Sequence, residues 1–181
     1  MQALLPIALL VLAASARDRL PLLPANPGFE RGLEGWRSDF NVGGYRAYPR
    51  REAGYSSERA AEGRGWLEID WASRRGTPPG AWFHVTTRID ARRYRGRTIA
   101  FSAAVRLPDH ASGAAALTAR AIGPGAGARR EQRLRATPTW RRDQLVFAVP
   151  RGAVAIELGF LVDGRSGELE ADAVRIDILH R

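Results

Sequence analysis

Ala81-Trp82-Phe83-His84-Val85-Thr86-Thr87-Arg88-Ile89-Asp90 alternates strictly. Phe83, Val85, Thr87 and Ile89 fall on one side, and Trp82, His84, Thr86 and Arg88 on the other. A period of two is that of a strand with one face buried and the other left to polar groups. The pattern recurs in both directions. Upstream, Trp66 to Trp71 puts Leu67 and Ile69 on one face. Downstream, Thr98 to Leu107 lines up Ile99, Phe101, Ala103, Val105 and Leu107. Ala115 to Ile122, Gln144 to Val149, Val154 to Val162 and Leu169 to Leu179 read as further strands. Turn chemistry separates them, as in Gly76-Thr77-Pro78-Pro79-Gly80, Arg95-Gly96-Arg97 and Gly123-Pro124-Gly125. Only Ser56 to Ala61 reads as helical. Short, half-buried strands at regular spacing predict an all-β, two-sheet antiparallel sandwich.

The chain of 181 residues is long enough for one domain with a real core, and 45% of it is hydrophobic. Ala3 to Ala16 is an almost unbroken apolar run ending in Ala14-Ser15-Ala16, the small-residue shape that signal peptidase accepts. It is short for a bilayer span. The expectation is a signal peptide over 1–16, a lead-in over 17–25 and one domain over 26–179, hence an exported chain, periplasmic or secreted, with no membrane span once mature. Only the α-amino group supplies positive charge before the run, so an uncleaved anchor or a misassigned start codon stays open as the other reading.

The chain has no cysteine, which excludes disulfides, thiolate metal sites and cysteine nucleophiles. All 28 of its basic residues are arginine, and the formal net charge is +9. An arginine surface grips carboxylate, sulfate or phosphate through paired hydrogen bonds. A GC-rich coding sequence produces the same composition, so both readings stand. The arginines are dispersed, and no nucleic-acid motif is present, so specific nucleic-acid binding is not expected.

Two stretches bracket the strands. Asn26-Pro27-Gly28-Phe29-Glu30-Arg31-Gly32-Leu33-Glu34-Gly35-Trp36 opens the domain. Gly167-Glu168-Leu169-Glu170-Ala171-Asp172-Ala173-Val174-Arg175-Ile176-Asp177-Ile178 closes it. Between them stand Tyr94-Arg95-Gly96-Arg97 running into Phe101-Ser102-Ala103-Ala104-Val105-Arg106, then Thr139-Trp140 and Leu145 to Pro150. This ordered set resembles the galactose-binding-like jelly rolls of cellulose- and xylan-binding modules. The resemblance implies a jelly-roll sandwich, core positions for Trp36 and Trp140, and a structural calcium held by Glu30, Asp172 and backbone oxygens. The departure is Ala171, where the family often carries the first of two aspartates. A salt bridge or plain surface carboxylates remain the alternative for Glu30 and Asp172.

No enzyme signature appears. His84, His110 and His180 lack metal-ligand spacing, no nucleophile elbow occurs, and no carboxylate pair is singled out. The candidate binding residues are therefore those opposite the apolar faces: Trp66, Trp82, His84, Arg88 and Arg106, with Tyr45, Tyr48 and Tyr55 as rim candidates. Exposed aromatic rings stack on sugars, and arginines hold carboxylates. The function expected is a non-catalytic module binding carbohydrate or an acidic cell-envelope polysaccharide. The alternative is a protein-interaction or structural accessory domain, whose face would carry small residues and arginine without a stacking platform. The ligand and the oligomeric state are not readable from the chain.

Overall fold

The computed structural model describes residues 22–40, 45–51, 59–72, 80–107, 113–164 and 166–179. Ten strands form two antiparallel five-stranded sheets, and the described residues contain no helix. The strands are β1 (Arg37–Phe40), β2 (Tyr45–Arg51), β3 (Gly65–Ala72), β4 (Trp82–Asp90), β5 (Thr98–Leu107), β6 (Gly113–Ile122), β7 (Arg130–Arg133), β8 (Thr137–Ala148), β9 (Ala155–Gly164) and β10 (Ser166–Leu179). The front sheet runs β1-β4-β9-β6-β7 and the back sheet β2-β3-β10-β5-β8. From β3 onward the chain changes sheet at every connection except β6 to β7, which is the jelly-roll winding.

The alternating faces meet between the sheets. Phe83, Val85 and Ile89 of β4 join Leu117 of β6 and Ile156, Leu158, Phe160 and Val162 of β9. Leu67, Ile69, Leu169, Ile99, Phe101, Val105, Leu145 and Phe147 oppose them from the back sheet. Trp36 bridges the layers. Its ring lies 5.0 Å from Phe29 and 5.8 Å from Phe160, and Phe160 is 6.1 Å from Phe101. The Trp36 indole N–H donates to Ala25 O at 3.1 Å, so a buried ring with a polar edge is satisfied.

The opening and closing stretches are joined directly. The Val174 amide donates to Pro27 O at 2.9 Å. Pairing of β10 with β5 shifts register between Asp172 and Arg175, and Ala173 there has a φ of 50°. This is a β-bulge built without glycine, so the backbone is held in a conformation that costs an L-residue energy. Of the sequence-predicted helix over Ser56 to Ala61, residues 56–58 lie outside the described residues; 59–61 are irregular. Trp140 also departs from its expected core position. It sits on the edge strand β8, half-buried, and its indole N–H donates to Arg59 O at 2.8 Å.

Candidate functional site

The outer face of the front sheet holds a cavity of about 790 Å³. Its floor comes from alternate residues of neighbouring strands. The register sets Arg37 of β1 opposite Thr86 of β4, and Asp39 opposite His84. It sets Arg88 opposite Glu157 of β9, and Glu157 opposite Arg120 of β6. One wall is the opening stretch, where Thr87 Oγ1 donates to Gly35 O at 2.9 Å. Arg129, from the β6–β7 turn, contributes at the far side. Trp82, His84 and Arg88 therefore line one cavity, as their shared parity on β4 requires.

Glu157 is the centre of the charged floor. Arg88 Nε donates to its Oε2 and Arg120 Nη2 to its Oε1, each at 2.8 Å. Burial pushes this carboxyl up, but the Arg88 hydrogen bond and the charges of Arg120 and Arg88 outweigh burial and hold it below the ordinary carboxylate range. Both guanidiniums are about half exposed. Each carries five N–H donors, so donors remain beyond the one given to Glu157. The cavity is lined by four guanidiniums, Arg37, Arg88, Arg120 and Arg129, against the carboxylates of Asp39 and Glu157.

His84 is 6% exposed, and its Nε2 is hydrogen-bonded to Thr118 Oγ1 at 2.7 Å across the intervening strand β9. Gly159, opposite Thr118 in register and diagonal to His84, offers no side chain. Burial, with the Arg129 charge adding to it, lowers the imidazole pKa to about 4. The ring is neutral at neutral pH and serves as a polar spacer in the floor.

No protein-family model and no curated protein matches the sequence. Solved structures do match. The enzymatically active domain of bacteriophage CBA120 tailspike protein 4 superposes with a TM-score of 0.65 at 14% identity. That match covers 87% of this chain but only 22% of the tailspike. A family 16 carbohydrate-binding module gives 0.61 at 16% identity, over 86% of this chain and 99% of that one. TmCBM61, solved with β-1,4-galactotriose, gives 0.57 at 15% identity, over 85% and 96%. The fold is that of carbohydrate-binding-module jelly rolls.

Two of the expected binding residues lie elsewhere. Arg106 is on β5, in the back sheet, so its outer face is on the opposite side of the sandwich from His84 and Arg88. β4 and β5 are adjacent in sequence but enter different sheets, and equal parity then says nothing about a shared surface. The Arg106 guanidinium pairs with the Glu170 carboxylate and lies 5.5 Å over the Trp140 ring. Trp66 is on the same back face, yet it is 1% exposed, which corrects the expected exposure. Parity gives direction, not cover. Residues 59–64 return over this face, anchored at Trp140 through Arg59 O and at Arg142 and Arg175 through Glu62. The Tyr45 and Tyr48 side chains and all of Tyr55, as well as His110 and His180, lie outside the described residues.

Glu30 and Asp172 meet around the segment 61–65. Glu30 Oε1 accepts the amides of Arg64 at 2.7 Å and Gly65 at 2.9 Å. Asp172 Oδ2 accepts the Glu62 amide at 2.8 Å, and Oδ1 the Ala173 amide. A Cβ at Gly28 would stand 3.7 Å from Asp172 Oδ1 and 3.9 Å from the Glu30 Cγ, so this glycine separates the two carboxylates. Asp172 is fully buried, and burial raises its pKa to about 6 against the pull of the backbone amides. A buried carboxylate with a second one anchored to the same segment supplies oxygen donors of the kind a hard cation takes.

The sequence reading missed Arg120, Arg129, Glu157, Arg37 and Asp39. Glu157 carried a signal: it is the one carboxylate within the apolar run Val154 to Val162. It also missed an acidic cluster on the back sheet. The carboxylates of Glu68, Glu168 and Glu170 lie within 4.8 Å of one another. Arg50 pairs with Glu68 and Arg106 with Glu170, so two of its three carboxylates are matched by arginine.

Proposed function

We propose that the front-sheet groove binds a polysaccharide bearing carboxylate groups, and that the chain is an exported, non-catalytic binding module. The observation that carries this is the Arg88–Glu157–Arg120 arrangement on the floor of a groove that also holds Trp82. Glu157 fixes the two guanidiniums in place, and their remaining donors suit a carboxylate ligand. Trp82 offers a ring on which a sugar C–H face can stack. Glu157 is held ionised between two cations, which suits it to fixing guanidiniums and not to donating a proton. The apolar run Ala3 to Ala16 supports export.

Glu30 and Asp172, with backbone oxygens, would hold a structural calcium. Its charge would offset the burial of Asp172 and tie the opening stretch, the 61–65 segment and β10 together.

Titration calorimetry against polygalacturonate and neutral xylan tests the reading. Saturable binding of polygalacturonate is expected, weakened at least about tenfold by Arg88→Gln and by Trp82→Ala. Failure to bind acidic or neutral polymers would reject it.

A second reading has its own observation. Gly159, Ala116 and Thr118 occupy the middle of the same face, so small residues and arginine cover more of it than aromatic rings do. That surface suits an acidic protein segment. Binding to acidic peptides with no response to any glycan would select this reading.

A further inference from the structure

One pole of the sandwich combines arginine with exposed apolar side chains. Three loops meet there: 91–97 between β4 and β5, 123–129 between β6 and β7, and 149–154 between β8 and β9. Their contacts are explicit. The Ala91 amide donates to Val154 O, the Val154 amide to Ile122 O, and the Gly96 amide to Val149 O. Arg95 Nε donates to Ala153 O at 2.7 Å. A Cβ at Gly152 would stand 2.4 Å from Pro124 O, so the second and third loops touch through backbone.

These loops contain six arginines, Arg92, Arg93, Arg95, Arg97, Arg129 and Arg151, and no carboxylate. The next acids along the strands are largely spoken for. Asp90 pairs with Arg92, and Glu157 with Arg88 and Arg120; Asp177 stands on the back face of β10. Arg93, Arg97 and Arg151 are exposed, and among the described residues none of the three has an ion-pair partner.

The same pole gathers apolar surface. Among the described residues the exposed large hydrophobics are Leu22, Leu23, Phe40, Val146, Val154 and Leu179. Four of these six belong here. Leu22 is tied to the first loop by the Tyr94 hydroxyl, which donates to its carbonyl at 2.9 Å, and Leu23 follows it. Val154 ends the third loop. Leu179 pairs with Thr98, whose other neighbour is Ala148. In sequence, the apolar run Ala3 to Ala16 and then Arg17 and Arg19 lead straight into Leu22.

We infer that this pole docks on an anionic phospholipid surface, with Arg93, Arg97 and Arg151 at the headgroups and Leu22, Leu23 and Val154 entering the interface. Cations with long apolar stems beside exposed aliphatic side chains match the headgroup boundary, where the two attractions add. A soluble polyanion would use the arginines alone and leave four aliphatic side chains in water. Exposed aliphatic side chains set among unpaired arginines make a bilayer the fitting source of negative charge.

The test is co-sedimentation of the full chain with vesicles of phosphatidylcholine alone and of phosphatidylcholine with about 30 mol % phosphatidylglycerol. The anionic vesicles should bind at least about tenfold more strongly, and about 0.5 M NaCl should remove that increment. Arg93→Gln/Arg97→Gln/Arg151→Gln should abolish the increment, while Arg130→Gln/Arg133→Gln/Arg135→Gln, with the same charge change on β7 and beyond it, should leave it. Leu22→Ser/Leu23→Ser/Val154→Ser should weaken vesicle binding without touching heparin binding. Circular dichroism confirms folding of each variant. Equal binding to both vesicles, equal losses from the two arginine sets, or indifference to the serine set would overturn the inference. The last outcome would make the pole a polyanion site.

Discussion

Gly159 leaves the space that His84 needs: a Cβ at position 159 would lie 3.1 Å from His84 Nε2 and 2.3 Å from Val85 O. The absence of one methyl group lets an imidazole on β4 cross β9 and reach Thr118 on β6. The backbone oxygen cannot give way without breaking the β4–β9 pairing. Gly159→Ala should therefore cost about 2–4 kcal/mol in chemical denaturation. A midpoint within error of the parent would show that the sheet absorbs the methyl group.

The His84 imidazole also sets a pH dependence. Its folded pKa, about 4, lies below the ordinary 6.5. Between those values the unfolded chain takes up a proton that the folded chain refuses. Stability is therefore full above about pH 6.5 and falls as the pH drops towards 4, by up to roughly 3 kcal/mol. Asp172 shifts in the opposite sense, so the contribution is read as the difference between the parent and His84→Gln across that window. Parallel curves for the two proteins would exclude it.

Glu157→Gln removes the counter-charge shared by Arg88 and Arg120. The variant should lose about 1–3 kcal/mol at low salt. Oligogalacturonate should then restore more stability to it than to the parent, because the ligand carboxylate takes the vacated role. A thermal shift with oligogalacturonate no larger than that of the parent would separate the arginine pair from ligand binding.

Arg106→Ala acts on the opposite sheet. It strands Glu170, which is 1% exposed, without its partner. A loss of about 3 kcal/mol is expected, with groove affinity unchanged in the folded protein. Weakened polygalacturonate binding at undiminished stability would instead place Arg106 in a ligand site.

For the Glu30–Asp172 clasp, saturating calcium should raise the melting temperature by about 5–10 °C and a chelator should reverse it. Asp172→Asn should abolish the response. A parent melting curve indifferent to both calcium and chelator would leave the carboxylates as hydrogen-bond acceptors for the 61–65 segment.

Much of this architecture was legible in the alternation of residues. Trp82 to Asp90 and Thr98 to Leu107 read directly as β4 and β5, and the bracketing stretches marked both ends of the sandwich. What alternation missed were β1, β2 and β7 and the first half of β8, whose described faces are mostly polar or exposed and so carry no apolar period. The site was half legible for a related reason. Trp82, His84 and Arg88 share a strand, and a strand's own parity groups them. Glu157 and Arg120 join them only through pairing of β4, β9 and β6 over some 37 to 69 residues of separation. Trp66 and Arg106 failed on topology: which sheet a strand enters, and what lies over it, is set by the winding of the whole chain.

The groove opens on the flank of the sandwich. It crosses β1, β4, β9 and β6, while the strands themselves run up from the arginine-rich pole. Its lining runs along β4 from Trp82 to Arg88 as well as across to Arg120 of β6. Its floor residues sit on three hydrogen-bonded strands, so whatever occupies the groove meets a surface whose spacing is set by backbone pairing.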